Sequence, residues 1–384
     1  MNNQRWLSIN FLIYSFSWGI FMPYWTGWLT LDKGLSVTEA SIIMGAGMIA
    51  RAFSTFLLFP FLMKRMALIK TMKYLTFISL GLVLLYIPSS TFSLLLIITI
   101  LFSIAYSIIS PAVESGATLL MQTEKVHYGK SRSFGSIGYM VALLIVGGAT
   151  AIWDERTILF LMIFGLGALA LFATRPAPHV LEQAPLKTTN QKRGIELKEL
   201  LSMKSFVIIM TIVILLQGSH ASYYNYGFLF LDDLGVNSFY IGIILNVAIV
   251  AEIIFFPQVD KLFAKTKTST MFLIAGSVAT TRWILLFLFP ITSIFIVTQL
   301  FHVLSSGLTH FAFIRYISDN LPKHLIPTAQ GMYAAFAISL SIAILTFVGG
   351  YLYDISPNLA FLGMISCTIP AIIIILATKK RHVY

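Results

Sequence analysis

Charged side chains are scarce in this sequence. Asp, Glu, Lys and Arg together supply 11% of its 384 residues, whereas soluble domains carry about 25%. Apolar residues reach 58%, and the mean hydropathy is +0.86. A chain of this composition cannot cover a water-facing surface, which excludes a soluble enzyme or a soluble binding module. Most of its surface must therefore face lipid.

Cysteine is nearly absent as well. The single cysteine, Cys367, lies in an apolar run, so neither a disulfide framework nor a cysteine metal site is possible. The sequence has no phosphate-binding loop of the type G-x-x-x-x-G-K-[ST] and no polar segment long enough for a catalytic domain. An ATP-driven pump and a membrane enzyme are therefore disfavoured. We predict no cofactor and no metal.

Long apolar runs, by contrast, are abundant. A helix needs about 20 residues to cross roughly 30 Å of hydrocarbon, and the runs close to that length form two sets of six, at 6–31, 38–62, 72–88, 91–121, 132–153 and 157–175, then at 204–231, 237–259, 269–289, 291–317, 326–353 and 357–378. The first run lacks a small-x-small cleavage site and is expected to stay as a span. We predict an all-α membrane protein with an N-terminal half (1–175), a linker (176–203) and a C-terminal half (204–384).

Positive charge is distributed unevenly between the two sides of this array. When the connections are assigned alternately, 22 of the 26 Lys and Arg fall on the side of the termini and the linker. Lys33 and Arg156 fall opposite, and Arg51 and Arg282 lie within spans. Because cytoplasmic loops carry the excess of Lys and Arg, we expect both termini in the cytoplasm of a bacterial inner membrane. The scatter of these charges excludes nucleic acid as a partner.

Ionisable residues inside spans are costly and are therefore functional candidates. Two residues on neighbouring antiparallel helices lie at equal depth in the membrane when the turn that joins the helices is midway between them in the sequence. Glu114 and Arg132 satisfy this condition about Thr123, which predicts that they meet roughly 13 Å from the turn. Such a pair offsets its own desolvation and keeps donors for a ligand. Alternatively, Arg132 reaches the cytoplasmic surface and Glu114 is structural.

The same depth arithmetic predicts a second cluster in the C-terminal half. Arg282 and His302 share a depth about Thr292, and Glu252 shares a depth with Arg282 about Lys267. A carboxylate beside an arginine and an imidazole can change its protonation near neutral pH. These three groups are candidates for proton coupling. The alternative is a fixed charge pair that holds helices together.

Aromatic residues crowd the first and seventh runs, which correspond between the halves. Trp18 and Tyr223 are candidates to line a substrate cavity, and Arg51 is expected either to bind substrate or to tether helices. Trp25 and Trp28 are expected to face lipid headgroups in an interfacial aromatic belt.

One motif resembles the lactose permease group of the major facilitator superfamily. It is the run Pro111-Ala112-Val113-Glu114, followed by Arg132 within the run from Tyr128 to Gly135. The resemblance implies two six-helix halves, with substrate bound by Glu114 and Arg132 and stacked on Tyr139. Arg282 and His302 match part of that group's coupling network.

Two positions depart from that group. Gln299 and Ser305 stand where the group has a lysine and its proton-carrying glutamate. Glu252 is the only carboxylate within the spans of the C-terminal half, so we predict that it accepts the proton. Glu114 and His302 are the alternatives.

A resemblance to the 3-phenylpropionate transporter family covers nearly the whole chain. The segments that carry it are Arg5-Trp6-Leu7, Gly19-Ile20-Phe21-Met22-Pro23, Gly45-Ala46-Gly47, Leu216-Gln217-Gly218-Ser219-His220-Ala221, Val250-Ala251-Glu252-Ile253 and Arg315-Tyr316-Ile317. It implies a proton symporter that imports a small organic solute, such as an aromatic carboxylate, by alternating access. The expected partners are that solute, protons and the lipid bilayer, and the expected functional state is a monomer.

Three other functions stay open. A sugar, oligosaccharide or nucleoside proton symporter would share the fold. A drug-type antiporter is disfavoured because the fifth span lacks a Gly-Pro motif. A scaffold or receptor that transports nothing would not need buried charges at matched depths.

Overall fold

A computed structural model describes residues 2–124, 126–182, 190–322 and 324–379. All the regular secondary structure in these ranges is helical, and they contain no strand. It divides into two compact units, namely residues 1–188 with 237–243, and residues 189–236 with 244–384. The linker predicted at 176–203 includes residues 183–189, which lie outside the described residues, so this part of the prediction is untested.

The first half contains the helices that we number spans 1 to 6. They are Asn3–Gly27 with its continuation Trp28–Asp32, Val37–Met63, Leu68–Leu84, Phe92–Glu124, Tyr128–Ile152 and Arg156–Ala173. The second half contains spans 7 to 12: Lys204–Asp233, Ser238–Gln258, Thr268–Leu288, Thr292–Asn320, Ile326–Ile355 and Leu359–Thr378. Among the described residues, ten of these helices are long and apolar enough to cross a membrane. Spans 1 and 3 complete the two sets of six, and the prediction of an all-α, multi-pass membrane protein is confirmed.

Several spans depart from regular α-helix. Span 7 is interrupted between Gly218 and Ala221. Within the described part of the chain, four spans contain a π-helical segment: Trp28–Asp32, Ser54–Leu58, Val303–Gly307 and Tyr333–Leu340. Such segments hold one extra residue per turn and occur frequently at functional sites.

The two halves have glycine and proline residues at corresponding positions. Gly34 and Gly235 follow the first span of each half and adopt φ of 70° and 75°, a left-handed conformation that glycine adopts without strain. Pro60 and Pro257 each occupy the first turn of a new helical segment, where a missing N–H is harmless. These matched positions indicate an internal repeat of six spans.

Contacts within the first unit show which connections between spans lie at the same end of the helices. Asp32 forms ion pairs with Lys33 at 3.7 Å and Arg156 at 3.3 Å, which joins the connection after span 1 to that after span 5. At the other end, the side chain of Gln4 accepts a hydrogen bond from the His127 backbone N–H at 2.8 Å. These contacts agree with the alternate assignment of connections to the two sides, on which the count of Lys and Arg residues was based.

Aromatic packing fills the first unit. Trp25 and Trp28 are 0% exposed, their rings lie 4.6 Å apart, and both meet the edge of Tyr86 at 5.1 and 5.6 Å. The prediction that these two tryptophans join an interfacial belt is wrong. Edge-to-face contact with Tyr86 and the contact between the two indole rings bury both tryptophans inside the unit.

Two short helices occupy the predicted linker. Leu181, in His179–Glu182, is buried and packs with Leu68 over the Cα of Gly116. In Asn190–Ser202, Glu199 forms an ion pair with His324 at 3.3 Å. Each of these two helices therefore packs on the compact unit that contains it.

Candidate substrate and proton sites

Glu114 and Arg132 meet in the first unit, as their depths predict. Arg132 Nε lies 3.4 Å from Glu114 Oε1, and the Tyr128 hydroxyl donates to Glu114 Oε2 at 2.8 Å. Gly135 leaves room for the guanidinium, because a Cβ there would lie 2.7 Å from Arg132 Nη1. The side chains are 48% and 38% exposed, so the pair is neutral in sum and accessible to a ligand.

Tyr139 lies two turns beyond Arg132 on span 5. Seven residues return a helix to nearly the same face after roughly 10 Å, so the two residues share a face. The backbone of Tyr139 packs closely on span 1, since a Cβ on Gly19 would lie 3.0 Å from its carbonyl oxygen. The side chain is half-buried.

Arg51 and Trp18 also meet in the first unit. The guanidinium carbon lies 4.2 Å from the centroid of the indole ring, and Arg51 Nη1 is buried without a hydrogen-bond partner. Both side chains are half-buried. A cation on the face of tryptophan is a favourable contact, worth about 0.5–2 kcal/mol.

Arg282, His302 and Glu252 form the predicted cluster in the second unit. Arg282 Nη1 lies 3.0 Å from His302 Nδ1, and His302 Nε2 lies 3.5 Å from Glu252 Oε1. The imidazole therefore stands between the cation and the carboxylate. Arg282 is 0% exposed, while the Glu252 side chain is 33% exposed.

The donors and acceptors in this cluster fix the protonation of the imidazole. Arginine only donates, so His302 Nδ1 must accept from Arg282, and the neutral ring carries its hydrogen on Nε2, toward Glu252. A second proton on His302 would sit on Nδ1 and oppose the guanidinium. Glu252 is therefore the member that can take up a proton while the contact between Arg282 and His302 stays intact.

Tyr223 belongs to the same cluster. Its hydroxyl donates to Gln299 Oε1 at 2.7 Å, and the Arg282 guanidinium lies 4.3 Å from its ring centroid. Gln299, which takes the place of a lysine in the resembling group, thus serves as a neutral acceptor. One face of the Tyr223 ring is occupied by the guanidinium.

His220 lies beside His302 and is fully buried. Its Nδ1 is 2.9 Å from the Leu216 carbonyl and its Nε2 is 2.9 Å from Ser305 Oγ. A carbonyl only accepts, so Nδ1 carries the hydrogen, and Nε2 of the neutral ring is the acceptor that faces Ser305. The two imidazole rings are 5.5 Å apart, edge to face.

Sequence reasoning missed a polar network around Gln217. Its Nε2 donates to the Tyr333 hydroxyl at 2.8 Å, and its Oε1 accepts from Ser306 Oγ at 3.0 Å. His310 Nδ1 lies 3.1 Å from the same Tyr333 hydroxyl. A glutamine inside an apolar run was the available signal, because buried amides need partners.

Comparison with known proteins agrees with this architecture. The MFS_1-like family profile matches residues 4–363. The probable 3-phenylpropionic acid transporter of Escherichia coli (strain K12) is 28% identical over 375 residues, which cover 97% of each chain. The maltose permease of Geobacillus stearothermophilus is 26% identical over 298 residues, covering 77% of this chain and 74% of the permease.

Solved structures show the same fold. The nucleoside transporter NupG superposes with a TM-score of 0.86 over 100% of both chains, at 14% sequence identity. At that identity the likeness concerns the fold alone. Because the family profile covers most of the sequence and these relatives are transporters, the chain belongs to the MFS_1-like family of major facilitator proteins and is a membrane transporter, not an enzyme.

Proposed function

We propose that this protein is a proton-coupled symporter that imports a small organic anion, with 3-phenylpropionate as the first substrate to test. It would act as a monomer in the bacterial inner membrane, with both termini in the cytoplasm. The observation that carries the proposal is the chain of contacts from the buried Arg282 through His302 to Glu252.

Proton coupling requires a group whose protonation changes the contacts around it. His302 connects the Glu252 carboxylate to the Arg282 guanidinium. Protonation of Glu252 removes the negative charge toward which His302 Nε2–H points, although a carbonyl oxygen remains as acceptor, and it leaves the Arg282 charge uncompensated. A charge left alone at this depth favours rearrangement of the cluster.

Substrate contacts are proposed in both units. In the first unit they are Glu114, Arg132, Tyr139, Trp18 and Arg51, and in the second unit Tyr223 is proposed. The accessible ion pair of Glu114 and Arg132 offers both acceptors and donors, and Tyr139 lies on the face that carries Arg132. The resemblance to a 3-phenylpropionic acid transporter over 97% of the chain supports an aromatic acid.

A symporter for a neutral, hydroxylated substrate is the second candidate. The Glu114–Arg132 pair carries no net charge, which suits hydroxyl groups, and a maltose permease is among the relatives. Neutral sugars and nucleosides would then bind where an organic acid is proposed.

Uptake into proteoliposomes tests both candidates. Purified protein would be reconstituted, and accumulation of radiolabelled 3-phenylpropionate, maltose and uridine would be compared with and without an inward acid gradient. We expect gradient-driven accumulation of 3-phenylpropionate alone. Gradient-driven accumulation of maltose or uridine would establish the second candidate, and accumulation that ignores the gradient would refute proton coupling.

A further inference from the structure

The three arginines at these sites differ in the carboxylates that accompany them. Arg132 has Glu114 at 3.4 Å, and Arg282 is linked through His302 to Glu252. Arg51 has no ion pair with any carboxylate in the part of the chain that the structure describes. It is the one of the three whose charge is not balanced.

The position of Arg51 makes this imbalance costly. Arg51 lies near the midpoint of the 27-residue span Val37–Met63, where a charge is least tolerated in a bilayer. The ring that contacts its guanidinium, the Trp18 indole at 4.2 Å, carries no charge. Contact with the Trp18 ring offsets only part of the lost hydration.

Aromatic rings form a wall beside this guanidinium. The rings of Trp18 and Tyr106 are 6.3 Å apart and nearly parallel, and those of Tyr106 and Tyr14 are 5.3 Å apart at 29°. The wall is buried except at Trp18, where Arg51 is also partly accessible. The structure therefore presents an unbalanced planar cation next to a flat apolar surface.

We propose that Arg51 is the anion subsite of the transporter and that it selects substrates carrying one carboxylate next to an apolar or aromatic body. The guanidinium binds the carboxylate through two parallel N–H donors, and the ring of the substrate packs at the accessible part of Trp18, which the buried rings of Tyr106 and Tyr14 hold in place. Arg132, whose charge Glu114 already balances, is left to hydrogen-bond neutral groups. This inference rests on the proposed import of an organic acid.

Ligands that differ only in charge test the subsite. The affinities of 3-phenylpropionate and of its neutral amide, 3-phenylpropanamide, would be measured on purified wild type, Arg51→Gln and Arg156→Gln. Arg156 is the matched control because its exposed side chain lies at the first residue of span 6 and pairs with Asp32. We expect Arg51→Gln to lose at least about 30-fold in affinity for the carboxylate and nothing for the amide, while Arg156→Gln behaves as wild type.

A measurement without any ligand tests the charge balance separately. If Arg51 is uncompensated, Arg51→Gln removes a destabilising charge, and its melting temperature should rise by about 2 °C or more. If Arg51 is instead a tether between helices, its melting temperature should fall. Arg156→Gln should melt as wild type does.

The outcomes separate this inference from the proposed function. An Arg51→Gln protein that keeps the wild-type preference for the carboxylate over the amide, or that melts at a lower temperature, overturns the anion subsite even if uptake by wild type is intact. If wild type neither binds nor imports 3-phenylpropionate, the proposed substrate is refuted, and the melting comparison alone decides whether Arg51 is unbalanced.

Discussion

Replacement of Glu252 by glutamine separates proton coupling from substrate movement. Glutamine has the same shape, and its amide oxygen can still accept from His302 Nε2, but it cannot take up a proton. Loss of the Glu252 charge leaves the buried Arg282 uncompensated, so the variant should be less stable than wild type, although the 33% exposure of the Glu252 side chain limits the loss. Its melting temperature is therefore measured first, to show that the variant is folded.

The size of the functional effect follows from the proton gradient. One pH unit corresponds to about 1.4 kcal/mol per proton, which is a tenfold concentration ratio. Wild-type proteoliposomes whose interior is about one unit more alkaline should accumulate substrate up to about tenfold per coupled proton. Glu252→Gln should bring the inside and outside concentrations to a ratio of about one, yet it should exchange external label for internal substrate at close to the wild-type rate.

The control for this experiment is Asp319→Asn. Asp319 is exposed and pairs with Arg315 at 3.6 Å near the end of span 10, so its loss should leave accumulation unchanged. Undiminished uphill transport by Glu252→Gln would refute the assignment and move the proton to Glu114 or His302. Loss of exchange together with accumulation would show that Glu252 is needed for substrate movement itself.

Two further substitutions test the first unit. Arg132→Lys keeps the charge but loses the planar fork, so substrate affinity in a binding assay should fall by about tenfold or more with no change in melting temperature; wild-type affinity would remove Arg132 from the site. Gly138→Ala would place a Cβ 2.1 Å from the Leu12 carbonyl oxygen and should destabilise the protein by about 1–3 kcal/mol in thermal unfolding. Gly167→Ala, which meets nothing within 4 Å, should not, and equal stability of the two variants would contradict the close packing of spans 1 and 5.

Depth along a helix could be predicted from the sequence because the rise per residue is constant. This is why Glu114 and Arg132, and likewise Arg282 and His302, could be paired from their positions along the chain. Depth does not say which way a side chain faces. The contact of Glu252 with His302 rather than directly with Arg282 could therefore not be derived.

The direction in which each side chain points could not be predicted from the sequence, because the apolar composition that identifies the spans surrounds each helix on all sides. In lipid a helix is apolar on all sides, so the periodicity that marks the buried face of a soluble helix is weak. Composition alone places Trp25 and Trp28 at the lipid interface, and it gives no prominence to Gln217 among its apolar neighbours. Their environments depend on helix rotation, which only the packed structure supplies.

The π-helical segments bear on how the buried charges can move. Ser54–Leu58 begins three residues after Arg51, and Val303–Gly307 begins directly after His302. If the extra residue of a π-turn migrates along the helix, the residues it passes rotate by about 100° about the helix axis. Such a rotation turns a side chain from one neighbouring helix to another while the backbone hydrogen bonds are exchanged one at a time. Arg51 in one half and His302 in the other thus each lie next to a π-helical segment. At such a segment a side chain can rotate about the helix axis without bending or unwinding of the span that carries it.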